Sequence, residues 1–392
     1  MSKLLLSCDD TIYCCDGKFY AANQEGYDFF QRYLRIFEEL RIVCRCKEEN
    51  PIKSTRVVLD DNCIDVVRIT DFHRPKQYAL KYFQVGREIK GAVKGCDRAV
   101  FRLPSTVAFR VWKIFRKTGL PYACEIVYDA KDGVSASTNV VNKLLWVKIH
   151  NDMQKACFKA VGVSCVTEHY LQQRYFTKVK DGFSSHYSSL SLDKSFYTSA
   201  RSFPTNKTLG IAHVAKQVAF NGRKGINQII EALAVLKGKG VVVNATFAGK
   251  DYNGGIEKLK QYAASLGVGN QVHFPGFISR NELSGLLDKS DLYVMPTKAE
   301  GLPRVIIEAM AKGLPCISSP VSGNPELLSS HYLVEYYDVE ILAERIRELA
   351  SNKEAYEKAS SENYLNSLKY EASLLQERRD AFYYQLKSYK KG

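Results

Sequence analysis

The sequence predicts an α/β protein built from two Rossmann-like domains, and three observations lead there. Its 392 residues exceed one ordinary domain and suit two of about 150–200 each. Its second half alternates short strand-like runs with helix-periodic runs at close spacing, the pattern of βαβ units around a parallel sheet. A Ser-rich, weakly patterned stretch at 181–206, with Pro204 near its end, separates that half from the first.

The elements of the second half follow in order. Residues 208–214 are an apolar run fit for a buried strand. Residues 225–237 place Ile226, Ile229, Ile230, Leu233 and Leu236 at helical spacing. A β-branched strand at 241–248 ends at Gly249, a helix at 256–266 stops at Gly267, and 271–274 is a brief strand. Ser279 and Glu282 form a capping box that opens a helix through Leu287. A strand at 291–295, a helix at 303–312 closed by Gly313, and a strand at 315–318 complete the alternation.

The first half reads less regularly. Strands are expected at 4–8, 41–46, 99–103, 123–129 and 161–167, and helices at 27–40, 78–94, 107–117, 144–160 and 168–176. From Asp338 onward the chain reads as helical, with 370–391 as one charged and aromatic terminal helix. The domains are therefore drawn at 1–200 and 201–370, followed by the terminal helix at 371–392.

Composition excludes several classes. With 45% hydrophobic and 25% charged residues the chain is neither disordered nor a coiled coil. No window approaches the ~18 apolar residues of a membrane span, and the short Leu4–Leu5–Leu6 run is no signal peptide, so a cytoplasmic location is expected. The 11 cysteines include no C-x-x-C pair and read as reduced thiols, and the scattered histidines form no metal motif. No metal or cofactor is expected.

The net charge of +14 divides as +9 in residues 1–200 and +5 in the rest. Residues 72–120 alone hold 12 basic and 2 acidic side chains. Such a block attracts phosphates, on an anionic membrane surface or on nucleic acid, or is simply a solubilising face. No recognition helix or aromatic RNA-binding pattern accompanies it, so nucleic acid is the weaker choice. No G-x-x-x-x-G-K-[ST] and no Asp-x-Asp occurs, and Gly267-Val268-Gly269 follows a helix and reads as a turn.

The most informative segment is Pro296-Thr297-Lys298-Ala299-Glu300-Gly301-Leu302-Pro303-Arg304-Val305-Ile306-Ile307-Glu308. It sets a loop at the carboxyl end of a strand and then a helix opened by Pro303, the place where open α/β sheets bind ligands and where a helix N-terminus favours anions. Glu308 follows Arg304 by four, so a plain surface ion pair is the competing reading.

Glu300 and Glu308 form an E-x7-E pair that resembles the signature of retaining GT-B glycosyltransferases of family 4, also described as glycosyl transferases group 1 and here of the surface-polysaccharide type. His273-Phe274-Pro275-Gly276-Phe277 before the pair and Gly313-Leu314-Pro315-Cys316-Ile317 after it stand in that family's order, and the resemblance covers about 209–328. It implies GT-B architecture: two Rossmann-like domains facing across a cleft, with the last helix crossing back to the first. It implies a nucleotide-sugar donor in the second domain. Glu308 would bond the ribose, and Glu300 the donor sugar. Backbone groups of Gly301, Leu302, Pro303, Arg304 and Val305 would meet sugar and phosphate, with Phe277 nearby. Asn221-Gly222-Arg223-Lys224-Gly225 resembles the family's Lys-Gly element, making Lys224 the diphosphate lysine and Arg223 its second. His213 stands where the family often has Arg, which leaves Lys216 and Arg223 as substitutes for that charge.

In the first domain, Arg102-Leu103-Pro104-Ser105 and the run 121–129 resemble the acceptor domain of polysaccharide-assembling members. Ser105 and Arg102 are candidates for acceptor or membrane contact. Tyr128 replaces a usual His, and Asp129 either orients the acceptor hydroxyl or caps the next turn. Gly17, after Asp16, is the candidate for a loop over the donor phosphates. The implied partners are a UDP- or GDP-sugar, a saccharide or polyprenyl-diphosphate-linked acceptor, and an anionic membrane docked by residues 72–120. A nucleotide-sugar 2-epimerase, a non-catalytic sugar-nucleotide binder and a basic nucleic-acid binder are the other readings.

Overall fold

The computed structural model describes residues 2–390 apart from 60–61, 73–76, 78–79, 136–138 and 206–207. The chain forms two units. The first comprises Met1–Val134, Asn139–Tyr187 and Gln376–Gly392, and the second has Ser188–Leu375 as its main run. The chain thus leaves the first unit at Tyr187, earlier than position 200, and returns at Gln376 partway along the helix Ala372–Ser388.

The strands of the first unit are β1 (Lys3–Cys15), β2 (Lys18–Ala21), β3 (Glu39–Glu48), β4 (Val57–Val58), β5 (Ile64–Thr70), β6 (Arg98–Leu103), β7 (Tyr122–Ile126), β8 (Gly162–Cys165) and β9 (Phe183–His186). Seven of them run parallel in the order β5-β3-β1-β6-β7-β8-β9. Parallel strands covered on both faces carry continuous apolar runs, and Leu4, Leu5 and Leu6 are all fully buried.

Five expectations change here. The first strand runs on past Cys8 to Cys15 and turns back at Asp16-Gly17, whose φ values of 49° and 77° suit a two-residue hairpin into β2. Gly17, the candidate for a loop over the donor phosphates, is the tip of this hairpin. The helix expected at 27–40 is Gln24–Leu34, capped by the Asn23 side chain, because Leu40 pairs into β3. The helix expected at 168–176 is a series of turns, pinned where Leu171 N–H donates to Thr167 Oγ1 at 3.0 Å. The stretch read as linker contains β9, which escaped notice because Phe183-Ser184-Ser185-His186 has little apolar character. The helix expected at 78–94 is seen as Tyr82–Ile89; Tyr78 and Ala79 lie outside the described residues.

Three arginines of the basic run 72–120 are engaged within the unit. Arg102 lies against buried Glu125 (3.5 Å) with its guanidinium over Phe29. Arg98 donates to the carbonyls of Leu386 and Tyr389 at the end of the last helix. Arg110 bonds the Tyr82 carbonyl and stacks on its ring. Arg74 and Lys76 lie outside the described residues. Ser105 is also internal, 4% exposed, and caps the helix Thr106–Phe115 by accepting from Ala108 N–H. Arg102 and Ser105 are thus held inside the first unit, and part of the basic run is spent on contacts within the fold.

The last helix is fastened to the first unit through one buried carboxylate. Glu125 accepts from the hydroxyls of Tyr33 (3.0 Å), Tyr187 (2.8 Å) and Tyr383, and Tyr383 stacks on Tyr33. Arg35 adds a bidentate bond to Asp380.

The second unit holds β10 (Leu209–Val218), β11 (Val243–Asp251), β12 (Val272–Gly276), β13 (Leu292–Met295) and β14 (Cys316–Ser318). All are parallel, in the order β12-β11-β10-β13-β14. The helices Ile226–Gly238, Gly255–Ser265, Arg280–Lys289 and Arg304–Ala311 match the periodic runs, and the Ser279–Glu282 capping box forms as expected. The core packs Ile211, Phe247, Val294 and Ile317 of the sheet against Leu233 and Ile346 of the helices.

Candidate functional site

The strand order of the second unit reverses between β10 and β13, which pair through Ile211–Leu292 and Ala212–Tyr293. At such a switch point the loops after neighbouring strands lead their helices to opposite faces, which leaves a crevice at the carboxyl ends. The loops concerned are 219–225 and 296–303, the two that sequence reading singled out.

These loops are bolted together. Lys298 N–H donates to the Arg223 carbonyl at 2.9 Å, and Thr297 Oγ1 lies 3.2 Å from the same oxygen. Gly225 has φ of 72°, and a Cβ there would fall 1.9 Å from the Pro296 carbonyl oxygen, so only glycine permits the contact. The junction brings Lys224 Nζ onto Glu300 Oε1 as an ion pair. Thr297, fully buried, reaches the same oxygen at 3.2 Å. Behind it, Ser319 Oγ accepts from Thr297 N–H, and Ser322 Oγ donates to the Glu300 carbonyl at 2.6 Å.

The helix Arg304–Ala311 starts beside this pair, with Pro303 as its N-cap. Its first N–H groups have no carbonyl a turn behind them, as at any helix start. Pro303 has no N–H, so the amides that the loop offers an anion come from Gly301, Leu302, Arg304 and Val305. Glu308 is one turn inside and only 8% exposed, while Arg304 is exposed; burial of that kind is not a solvated surface pair.

His213, midway along β10, is fully buried and its Nδ1 lies 2.9 Å from the Val294 carbonyl. Burial, with Lys224 adding to it, lowers its pKa to about 4, so it is neutral and supplies no cation for phosphate. Lys216 and Arg223 are exposed, and Phe277 is exposed beneath the Lys250 ammonium. Thr297 and Ser322 were missed as site residues. Their signal is position alone, since both lie in loops just beyond the carboxyl ends of β13 and β14.

Asp129 belongs to the first unit and is fully buried. Its Oδ1 accepts from Lys131 N–H (3.0 Å) and Tyr175 OH (2.9 Å), and its Oδ2 from Arg174 (2.9 Å). Both oxygens are engaged within the unit, Oδ1 holding the start of the helix Ala130–Ser135, which is the capping alternative of the two foreseen for Asp129, and Oδ2 paired with Arg174. Among the described residues no group of three His, Cys, Asp or Glu side chains is placed to hold a metal ion.

Two Rossmann-like units, the second with a lysine–carboxylate pair at its switch point, define the GT-B fold class. Residues 213–365 match the family model described as Glycosyl transferases group 1. The chain is 26% identical over 363 residues to Protein CapJ of Staphylococcus aureus, covering 91% of this chain and 88% of that one. It is 29% identical over 143 residues to the UDP-Gal:alpha-D-GlcNAc-diphosphoundecaprenol alpha-1,3-galactosyltransferase of Escherichia coli, spanning 36% of this chain and 32% of that one. Among solved structures, sucrose-phosphate synthase from Thermosynechococcus elongatus superposes with a TM-score of 0.73 at 15% identity, covering 99% and 100% of the two chains. The last shows the fold alone.

Proposed function

We propose that the protein is a retaining glycosyltransferase. It moves a sugar from a UDP- or GDP-sugar to a saccharide or lipid-linked saccharide in the assembly of a surface polysaccharide such as capsule or O-antigen. The observation that carries this reading is the Lys224–Glu300 pair at the switch point, beside the N-terminus of the helix that bears buried Glu308. The match of that unit to a glycosyl transferase family supports it, as does the E. coli relative, whose name specifies a UDP-sugar and a diphosphoundecaprenol-linked acceptor.

In this reading Glu308 accepts the ribose hydroxyls and Glu300 a hydroxyl of the donor sugar. The acceptor oxygen bonds to the anomeric carbon on the face that the diphosphate leaves. The carbon–oxygen bond to phosphate breaks, its electron pair stays on the phosphate oxygen, and that oxygen takes the acceptor's proton. Lys224 and the loop amides bind the diphosphate more tightly as its charge grows, which lowers the barrier without a metal. Arg223 offers a second cation. Asp129 acts in the first unit by fixing the loop after β7 rather than by touching the acceptor. The enzyme works as a peripheral protein at the inner face of the cytoplasmic membrane; among the described residues no helix is long and apolar enough to cross one.

The test is a product assay with UDP- and GDP-sugars and polyprenyl-diphosphate-linked acceptors, read by mass spectrometry, with the anomeric configuration read by NMR. A glycosylated acceptor of the donor's configuration supports the reading. An inverted product removes the retaining mechanism, and a free epimerised sugar formed without acceptor removes the transferase.

A further inference from the structure

The largest exposed apolar side chains of the first unit gather on two helix starts. On the helix Val140–Phe158, Val140, Val141 and Leu144 are 69%, 72% and 66% exposed, and Leu145 and Val147 follow at 41% and 43%. The spacing 140-144-147 with 141-145 makes one stripe. This helix is firmly held elsewhere. Met153, Ala156 and Cys157 are in the core, and Trp146 lies over Gly133, where any Cβ would meet its ring. Its apolar first two turns therefore stand out from a fixed base. At the second place, Leu80 and Phe83 are 86% and 82% exposed at the start of the helix Tyr82–Ile89.

Topology puts both on one edge. The helix Tyr82–Ile89 connects β5 to β6 and the helix Val140–Phe158 connects β7 to β8, within a sheet whose main strands are all parallel. A crossover helix runs back against its strands, so each begins beside their carboxyl ends. Both apolar groups thus lie at the carboxyl edge of the sheet. Lysines stand beside both apolar groups, Lys81 next to Leu80 and Phe83, and Lys143 next to Val140 and Leu144; the carboxylates Glu88 and Asp152 follow only at the far ends of the two stretches, where Asp152 pairs with Lys148 at 2.7 Å.

We infer that this edge is where the protein enters an anionic bilayer, with Val140, Val141, Leu144 and Phe83 placed among the acyl chains and Lys143 among the headgroups. Aliphatic and aromatic side chains next to Lys81 and Lys143, with no Asp or Glu within residues 80–87 and 139–147, fit a lipid interface better than a protein partner of mixed charge. The inference rests on the proposed peripheral attachment and deepens it. It narrows the segment 72–120 to its part at 80–87 and adds the helix start at 140–147.

The experiment is flotation of the full chain with phosphatidylcholine vesicles, with and without phosphatidylglycerol, at low and high salt. Wild type is expected on the anionic vesicles, with a fraction retained at high salt because apolar insertion is not screened. The double variant Val140→Glu/Leu144→Glu is expected to partition ~10-fold or more weaker, and Phe83→Ser to weaken binding by itself. Both should keep the wild-type melting curve and transfer to a soluble acceptor, because these side chains lie in solvent. Binding of the double variant equal to wild type overturns the face and leaves peripheral attachment standing. Failure of wild type to bind overturns both, and neither result touches the transferase. A vesicle-free dimer that the double variant dissociates also overturns the inference, by assigning the face to self-association.

Discussion

Lys224 and Glu300 form an ion pair that ties the loop after β10 to the loop after β13, and each is the other's charge partner in the unliganded protein. In the proposed reaction, a diphosphate arriving at this site would draw Lys224 from Glu300 and free the carboxylate for a sugar hydroxyl, so that the two events would be one. Lys224→Ala is predicted to lower kcat by ~100-fold or more, the scale of losing a donor to developing charge, with a smaller change in nucleotide affinity. Stopped or steady-state kinetics with the donor found by screening check this; an unchanged kcat assigns the diphosphate charge elsewhere.

Glu308 has a different task and a different signature. Glu308→Ala is predicted to raise the Kd for the nucleoside diphosphate by ~10-fold or more, since a charged acceptor of two hydroxyls is lost. The kcat at saturating donor should fall less than for Lys224→Ala. If the two variants show the same split between KM and kcat, the roles assigned to them do not hold.

Gly225 is the structural condition for the pair. Gly225→Ala combines a positive φ with a Cβ 1.9 Å from the Pro296 oxygen, so it is predicted to destabilise the second unit by ~2 kcal/mol or more. Calorimetric melting reads this directly. The exposed Gly17, whose Cβ would meet nothing within 4 Å, is predicted to cost ~1 kcal/mol when changed to Ala, from its φ of 77° alone.

Much of this site was legible before any coordinates, and the reason is local. The strand–loop–helix around Glu300 and the cap at Ser279 are encoded by neighbouring residues, and each forms as read; the Lys224–Glu300 ion pair was not foreseen, because it joins two loops far apart in the chain. What escaped is decided by distant packing. Glu125 sits in a plain apolar strand, and nothing nearby announces that Tyr33, Tyr187 and Tyr383 will converge on it. The basic run 72–120 looks like one patch in the sequence, yet Arg98 and Arg102 have their partners at the last helix and at β7. The exposed stripe at Val140 was invisible because apolar residues at helical spacing ordinarily mean core.

His213 gives the second unit a defined acid response. Its pKa is lowered from 6.5 in the unfolded chain to about 4 in the fold by burial. Between those values the unfolded state binds the proton and the native state does not, so stability rises with pH through this window. The contribution is complete above pH ~6.5 and is lost by pH ~4, an effect of about 3 kcal/mol at ~1.4 per pH unit. His213→Gln should flatten that slope in urea titrations at pH values across the window. A slope equal to wild type in the variant assigns the acid response to other groups.

Tyr383 tests how the last helix is held. Tyr383→Phe leaves Glu125 with one donor fewer in a buried site and is predicted to cost ~1–2 kcal/mol. Hydrogen exchange should speed up across the helix Ala372–Ser388 and not in β10–β14. Protection unchanged along that helix contradicts the fastening role of Glu125.

The most direct test of the central claim is calorimetric titration of the full chain with UDP, GDP and CMP, in chelator, beside Glu308→Ala. The account predicts that one of the uridine or guanosine diphosphates binds without a metal and that the variant loses most of that affinity. Absence of binding by the folded protein, or binding that Glu308→Ala leaves intact, contradicts a donor site at the β10–β13 switch point.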